Sequence, residues 1–276
     1  MTSSRLNITS ILLVIQPKMY IIIKAKQAIN HIFSILILVL FLYQPLLSQG
    51  EIKIGKQVWL NQNLETTQFS NGDPILQAQS AQEWEKAFKN KQPAWCAYEL
   101  DTSLVESTKQ SSNPVSEIPF GKLYNIYAMQ DKRNVCPLGY RVPHNSDWQE
   151  LIAHLDSIRI LSENDRFADL RLLKSISGWQ PGESRFGGKV ENSNGNNKTG
   201  FNALPTGFRG PMGNFLNAGK NAVFWSKTNS PMKTNWCFNI PIEISYNSLV
   251  NFTYTSVKSG LSIRCIQDAS IYSTSN

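Results

Sequence analysis

His144 and Asp147, three residues apart, are the first side chains whose types and spacing could do chemistry. An imidazole beside a carboxylate can act as base and orienting group when a nucleophile lies within hydrogen-bond reach. At a helix start the same pair has a simpler use, as a surface histidine and a first-turn carboxylate favoured by the helix dipole, and we adopt that reading. The four cysteines are Cys96, Cys136, Cys237 and Cys265, and no two form a C-x-x-C pair. With only three histidines, His31, His144 and His154, a structural zinc site has little to draw on. An even number of cysteines in an exported chain predicts two disulfides, with three pairings open.

Trp225 and Trp236 stand near Arg209 and Asn235 in sequence. Exposed indoles beside a guanidinium and an amide would let a sugar or a peptide stack and hydrogen-bond. Against this, tryptophan in strand-like segments such as FWS and NWC is more often core than platform. Arg209, Trp225, Asn235 and Trp236 are therefore the candidate binding set, and no catalytic or metal-ligating set is expected.

These residues need elements to position them. Residues 56–64 (KQVWLNQNL) read as an opening strand, closed by the turn signal of Asn71, Gly72, Asp73 and Pro74. In SAQEWEKAFKN, Ser80 and Glu83 form a capping box, and Trp84 and Phe88 share one helical face. GKLYNIYAM reads as strand-like or tightly packed. A strong helix begins at Asn145 or Ser146, capped through S-D-W-Q, with Trp148, Leu151, Ile152, Leu155 and Ile158 at helical spacing. A second helix is predicted over 165–177, with Phe167, Leu170 and Leu173 on one stripe and Gly178 as its stop. Residues 179–222 are rich in Gly and Asn and read as a long loop region, functional or locally pinned. AVFWSKT, NWCFNIPI, SLVNFTYTSV and LSIRCIQD then read as strands.

Charge argues against nucleic acid. The net charge is +7, but Arg5, Lys18, Lys24 and Lys26 supply four of those charges from residues 1–49, which contain no acid. The remainder has no basic cluster longer than Lys132 and Arg133. Residues 33–43 (FSILILVLFLY) follow Lys24 and Lys26 and precede Pro45 and Ser48, the basic, apolar, polar order of a signal peptide. That apolar core is too short to span a roughly 30 Å hydrocarbon layer, which needs about 20 residues. We expect a signal peptide over 1–49, with cleavage after Ser48 or Gln49. MYIIIKAKQ at Met19 would itself make a reasonable start, and a two-segment anchor is the alternative. A single domain over 50–276 follows, with no stable membrane span after cleavage and a periplasmic, outer-surface or secreted destination.

CPLGYRVPHNSDWQEL, with GKLYNIYAM before it, TGFNALPTGFRG and FWSKT after it and GLSIRCIQD at the end, resembles the Fibrobacter succinogenes major paralogous domain over roughly residues 52–268. The resemblance implies a C-type-lectin-like α+β fold: small antiparallel sheets, two main helices and a long irregular loop region. It also implies a Cys136–Cys265 disulfide, from the family's CP-x-G and RC motifs, which leaves Cys96 and Cys237 as the second pair. Calcium-dependent lectins of this fold use E-P-N or Q-P-D followed by W-N-D, and neither is present. Calcium takes six to eight oxygens, for which Asn194, Asn196 and Asn197 offer only Glu183 and Glu191 as charged neighbours. No cofactor is expected, with calcium the one candidate. Formylglycine-generating enzymes share the broad fold but use a closely placed cysteine pair, which Cys237 and Cys265 are not. The expectation is an exported, non-catalytic module that binds a glycan or an envelope protein. The alternatives are an enzyme of unknown class on a formylglycine-generating-enzyme-like fold and a purely structural envelope protein.

Overall fold

A computed structural model describes residues 26, 50–99, 121–159, 170–183, 189–190, 192–228, 234–241 and 252–272. The chain divides into two compact units, Met1–Ser48 and Gln49–Asn276. The expected signal segment, Lys26 aside, and the first part of the helix predicted over 165–177 lie outside the described residues. Among the described residues no helix is long and apolar enough to cross a membrane.

Gln49–Asn276 is mixed α+β, with small sheets and few helices. Glu51–Ile54 and Gln57–Leu60 form a hairpin about Gly55, which takes the left-handed φ of +60° that the turn requires. Ile266–Gln267 and Tyr140–Arg141 extend it into a four-stranded sheet, so the two ends of the domain pair with each other. Asn221–Trp225, Thr234–Pro241 and Phe252–Ser256 form an antiparallel meander. Leu76–Gln77, Ala94–Ala97 and Lys122–Tyr124 make a third sheet, its first pair parallel.

The helices are α1 (Ala81–Lys89), α2 (Ile126–Gln130), α3 (Asn145–Arg159) and the short α4 (Ala269–Tyr272). In α1 the Ser80 hydroxyl accepts the Glu83 N–H at 3.1 Å, while the Glu83 carboxylate takes the Gln79 N–H at 2.6 Å. α2 turns GKLYNIYAM from strand to helix because the Asn125 side chain caps it, accepting the Ala128 N–H at 2.9 Å. At α3 the carboxylate that reaches back is Asp147: it accepts the His144 N–H at 2.6 Å. The S-D-W-Q pattern is therefore not the cap. Over 165–177, the described part holds only a 3-10 turn at Leu170–Leu172. Beyond it the chain leaves helical geometry so that Leu173 and Ser175 can exchange backbone hydrogen bonds with Ala203.

α3 presses Trp148, Leu151, Ile152 and Leu155 into an aromatic core. Trp148 lies 4.4 Å from the Phe238 ring, nearly parallel to it, and 4.8 Å from Trp59, with Phe224 and Phe201 completing the cluster. Each fully buried phenylalanine there contributes about 1.5–3 kcal/mol. Beside this cluster the buried Arg264 donates to the carbonyls of Leu60 and Phe201 and to Asn63 Oδ1, with its guanidinium 4.4 Å over the Phe201 ring. Burial lowers its pKa to about 9, which still leaves it charged at neutral pH.

Cys136 and Cys265 are joined by a disulfide that closes 129 residues of separation. By the chain-entropy model such a bridge contributes about 5 kcal/mol. Cys96 and Cys237 are free and buried, which corrects the expectation of a second bridge. They sit in different parts of the core: Cys96 with Trp84, Ala87 and Leu123, and Cys237 with Trp225 and the Cys136–Cys265 pair. Burial raises the Cys96 pKa against an opposing hydrogen bond from Arg209, and it pushes Cys237 up to about 12, so both stay protonated and unreactive at neutral pH.

Candidate ligand-binding site

The four residues predicted to bind do not form one surface. Trp225 is fully buried, and its Nε1 donates to the Tyr124 carbonyl at 2.7 Å. Asn235 is 2% exposed and donates to the Ser226 carbonyl at 2.8 Å, while Ser226 in turn donates to Asn145 at the start of α3. Both serve packing, because the meander strands that carry them have a face against the core. Trp236 is half-buried on the other face, its ring 3.9 Å from that of Tyr254, its cross-strand partner, which is 51% exposed. Arg209 is 2% exposed, but unlike Trp225 and Asn235 it packs against Trp84 and Gly213, two residues that line an open groove.

His144 stays at the surface, where desolvation at the helix end and then the Arg141 charge lower its pKa. Asp147 is committed to Arg141 through two hydrogen bonds of 2.7 and 2.8 Å, in addition to its cap. The asparagines considered for calcium are likewise occupied. Asn194 Oδ1 accepts from the Trp179 N–H, Asn196 Oδ1 from Lys198 and Asn197 Oδ1 from Asn202. Their role is to pin the loop, with Asn197 and Asn202 in left-handed conformations that asparagine tolerates. Among the described residues no three His, Cys, Asp or Glu gather.

The groove lies where α1 meets two turns. Gly210, Pro211, Met212 and Gly213 form a tight turn between the paired strands Phe208–Arg209 and Phe215–Leu216, closed by the Gly210 N–H to Asn214 carbonyl bond and by the Gly213 N–H to Gly210 carbonyl bond. The second turn ends at Ser259, and Gly260 then exchanges two backbone hydrogen bonds of 2.9 Å with Arg209. Between them is a cavity of about 270 Å³, with Trp84 and Phe88 on its floor, Pro211, Met212 and Gly213 on one wall and Lys258 on another. Met212 is 90% exposed.

The floor is rigid. Trp84 is nearly buried, and its Nε1 donates to the Lys258 carbonyl at 3.0 Å. A Cβ at Gly260 would come within 2.7 Å of the indole, so glycine is what admits the ring there. The Arg209 guanidinium lies 4.8 Å over Trp84 and 5.1 Å over Phe215. Lys258 Nζ stands 5.6 Å over Phe88, whose ring is 5.6 Å from that of Tyr127. Arg209 Nε has no hydrogen-bond partner, and among the described residues no carboxylate pairs with the guanidinium.

The model of the Fibrobacter succinogenes major domain matches residues 52–267. The chain belongs to that family. No curated protein and no solved structure matches the chain. In this Fibrobacter succinogenes major domain, sequence reasoning passed over Met212 and Lys258 and read Trp84 and Phe88 only as a helical stripe. The one local signal was the G-P-M-G turn, which places an apolar side chain at a turn tip where polar residues are the rule.

Proposed function

We propose that the chain is an exported, non-catalytic binding module with a C-type-lectin-like arrangement, and that it holds a glycan or an envelope protein at the α1 groove. The observation that carries this reading is an aromatic-floored groove lipped by the exposed Met212 and backed by a buried arginine with which no carboxylate pairs among the described residues. Isolated exposed apolar side chains need no explanation, whereas a concave apolar site with a few convergent polar groups is the default form of a binding site. Export is supported by the basic, apolar, polar order of residues 1–49 together with the Cys136–Cys265 bridge. The commitment of Asp147 to Arg141 and to the α3 cap favours binding over catalysis at His144.

A second reading places a glycan on Trp236 and Tyr254, because that aromatic pair is partly open to solvent. The two are separated by screening the oxidised protein on a glycan array, with and without calcium, and against a displayed random peptide library. Saturable binding lost in Phe88→Ala and Met212→Ser assigns the groove, and loss in Trp236→Ala alone assigns the sheet. Binding unchanged in all three variants contradicts both.

A further inference from the structure

Resting on the groove as the binding site, we infer that its occupant is an acidic, apolar peptide segment of a protein partner. Size is the first argument. Pockets that enclose a small ligand run from about 300 to 1,000 Å³, so a groove of about 270 Å³ accommodates anchor side chains of a larger partner better than a whole small molecule. Surface chemistry is the second. Trp84 is 3% exposed with its Nε1 already committed to Lys258, so it offers no open face and no free donor to a sugar ring. Phe88, Pro211 and Met212 present apolar surface instead, and methionine is the adaptable side chain that protein-binding surfaces use.

Charge is the third argument, and it selects the acid. Among the described residues Glu85 is the one carboxylate on the groove wall; it is paired with Lys89 at 3.0 Å, and the Lys258 charge also reaches it. α1 as a whole is balanced, with Glu83 and Glu85 against Lys86 and Lys89. Arg209 and Lys258 add two cations, and Glu99, whose charge reaches Cys96 beside Arg209, offsets at most one of them. The wall nearest the buried guanidinium is Gly213, at φ +89°. Where its Cβ would stand, the Ala81 methyl lies 3.1 Å away and Arg209 Nη2 3.7 Å. A carboxylate entering the groove meets Lys258 on its wall, with the Arg209 charge just behind Gly213 and Trp84.

The test is an array of 12-residue peptides in three sets, pairing Leu, Phe or Trp with Asp and Glu, with Lys and Arg, or with Ser, probed with the oxidised full chain. The acidic set is retained most strongly. Its affinity falls about tenfold in Phe88→Ala, and Lys258→Glu reverses the preference toward the basic set. Lys258 is exposed and holds Trp84 through its backbone carbonyl, so that charge reversal leaves the floor in place. Peptides retained equally from all three sets but lost in Phe88→Ala would overturn the acidic preference while leaving the groove assigned. The same holds for a glycan lost in Phe88→Ala when no peptide is retained. If nothing retained depends on Phe88, the groove reading itself fails, and this inference with it.

Discussion

Two buried arginines, Arg264 and Arg209, mark two regions built from the same residue types for different ends. Each guanidinium lies over aromatic rings, Arg264 over Phe201 and Phe224 and Arg209 over Trp84 and Phe215. Each also leaves Nε without a hydrogen-bond partner. Around Arg264, however, the carbonyls of Leu60, Phe201 and Asn202 and the Asn63 amide converge, tying the opening strand to the 201–202 loop and to the last strand beside the disulfide. Around Arg209 there is a thiol, two rings and a groove. A buried charge ringed by acceptors is part of the fold's own hydrogen bonding. One beside an open concavity, with no anion among the described residues, is suited to receive one from outside.

The comparison is broken most severely in the Arg264 region by removing its covalent brace. Cys136→Ser with Cys265→Ser should cost about 5 kcal/mol of unfolding free energy by the chain-entropy model, read from urea denaturation. The same pair of changes should leave groove affinity intact under conditions where the protein is still folded. In the groove region, Gly260→Ala forces a methyl group against Trp84 and should cost about 1–3 kcal/mol as an overpacked site. That variant should also weaken groove binding, because the floor must shift.

The smallest effect is that of pH, and it touches neither region directly. Hydrogen bonds from Arg133 hold the Asp131 and Asp73 carboxyls below their ordinary pKa. A depressed carboxylate contributes stability that is fully present above the unfolded value of about 4 and is lost as pH falls through the folded value. The thermal midpoint should therefore drop in acid below about pH 4, and Arg133→Gln should flatten that drop. Groove affinity measured at neutral pH should not change in Arg133→Gln.

Much of the scaffold was legible because it rests on local rules. α1 follows from apolar spacing and its Ser80 cap, α3 from apolar spacing alone, and the meander from alternation along 221–256. The Cys136–Cys265 pairing was legible only through the family's motifs. The site was harder to read, since the Arg209–Gly260 backbone pairing brings Trp84, Met212 and Lys258 together from three distant stretches. Trp225 misled for a related reason. A strand alternates in the same way whether its tryptophan faces core or solvent, and only the Tyr124 carbonyl waiting inside decides which. Cys96 and Cys237 stay apart because they belong to different sheets and different core clusters, which an even cysteine count cannot reveal.

The most direct test of the difference between the two regions is denaturant unfolding of Arg264→Met beside Arg209→Met. Arg264→Met strands several buried acceptors and should cost about 3 kcal/mol or more, at about 1–3 kcal/mol for each orphaned group. Arg209→Met removes a buried charge that lacks an ionic partner among the described residues, so the lost ring contacts and Cys96 hydrogen bond on one side and the relieved desolvation on the other should nearly cancel, leaving a change within about 1 kcal/mol. A loss in Arg209→Met as large as that in Arg264→Met would show that Arg209 is held for the fold, and would contradict its assignment to the groove.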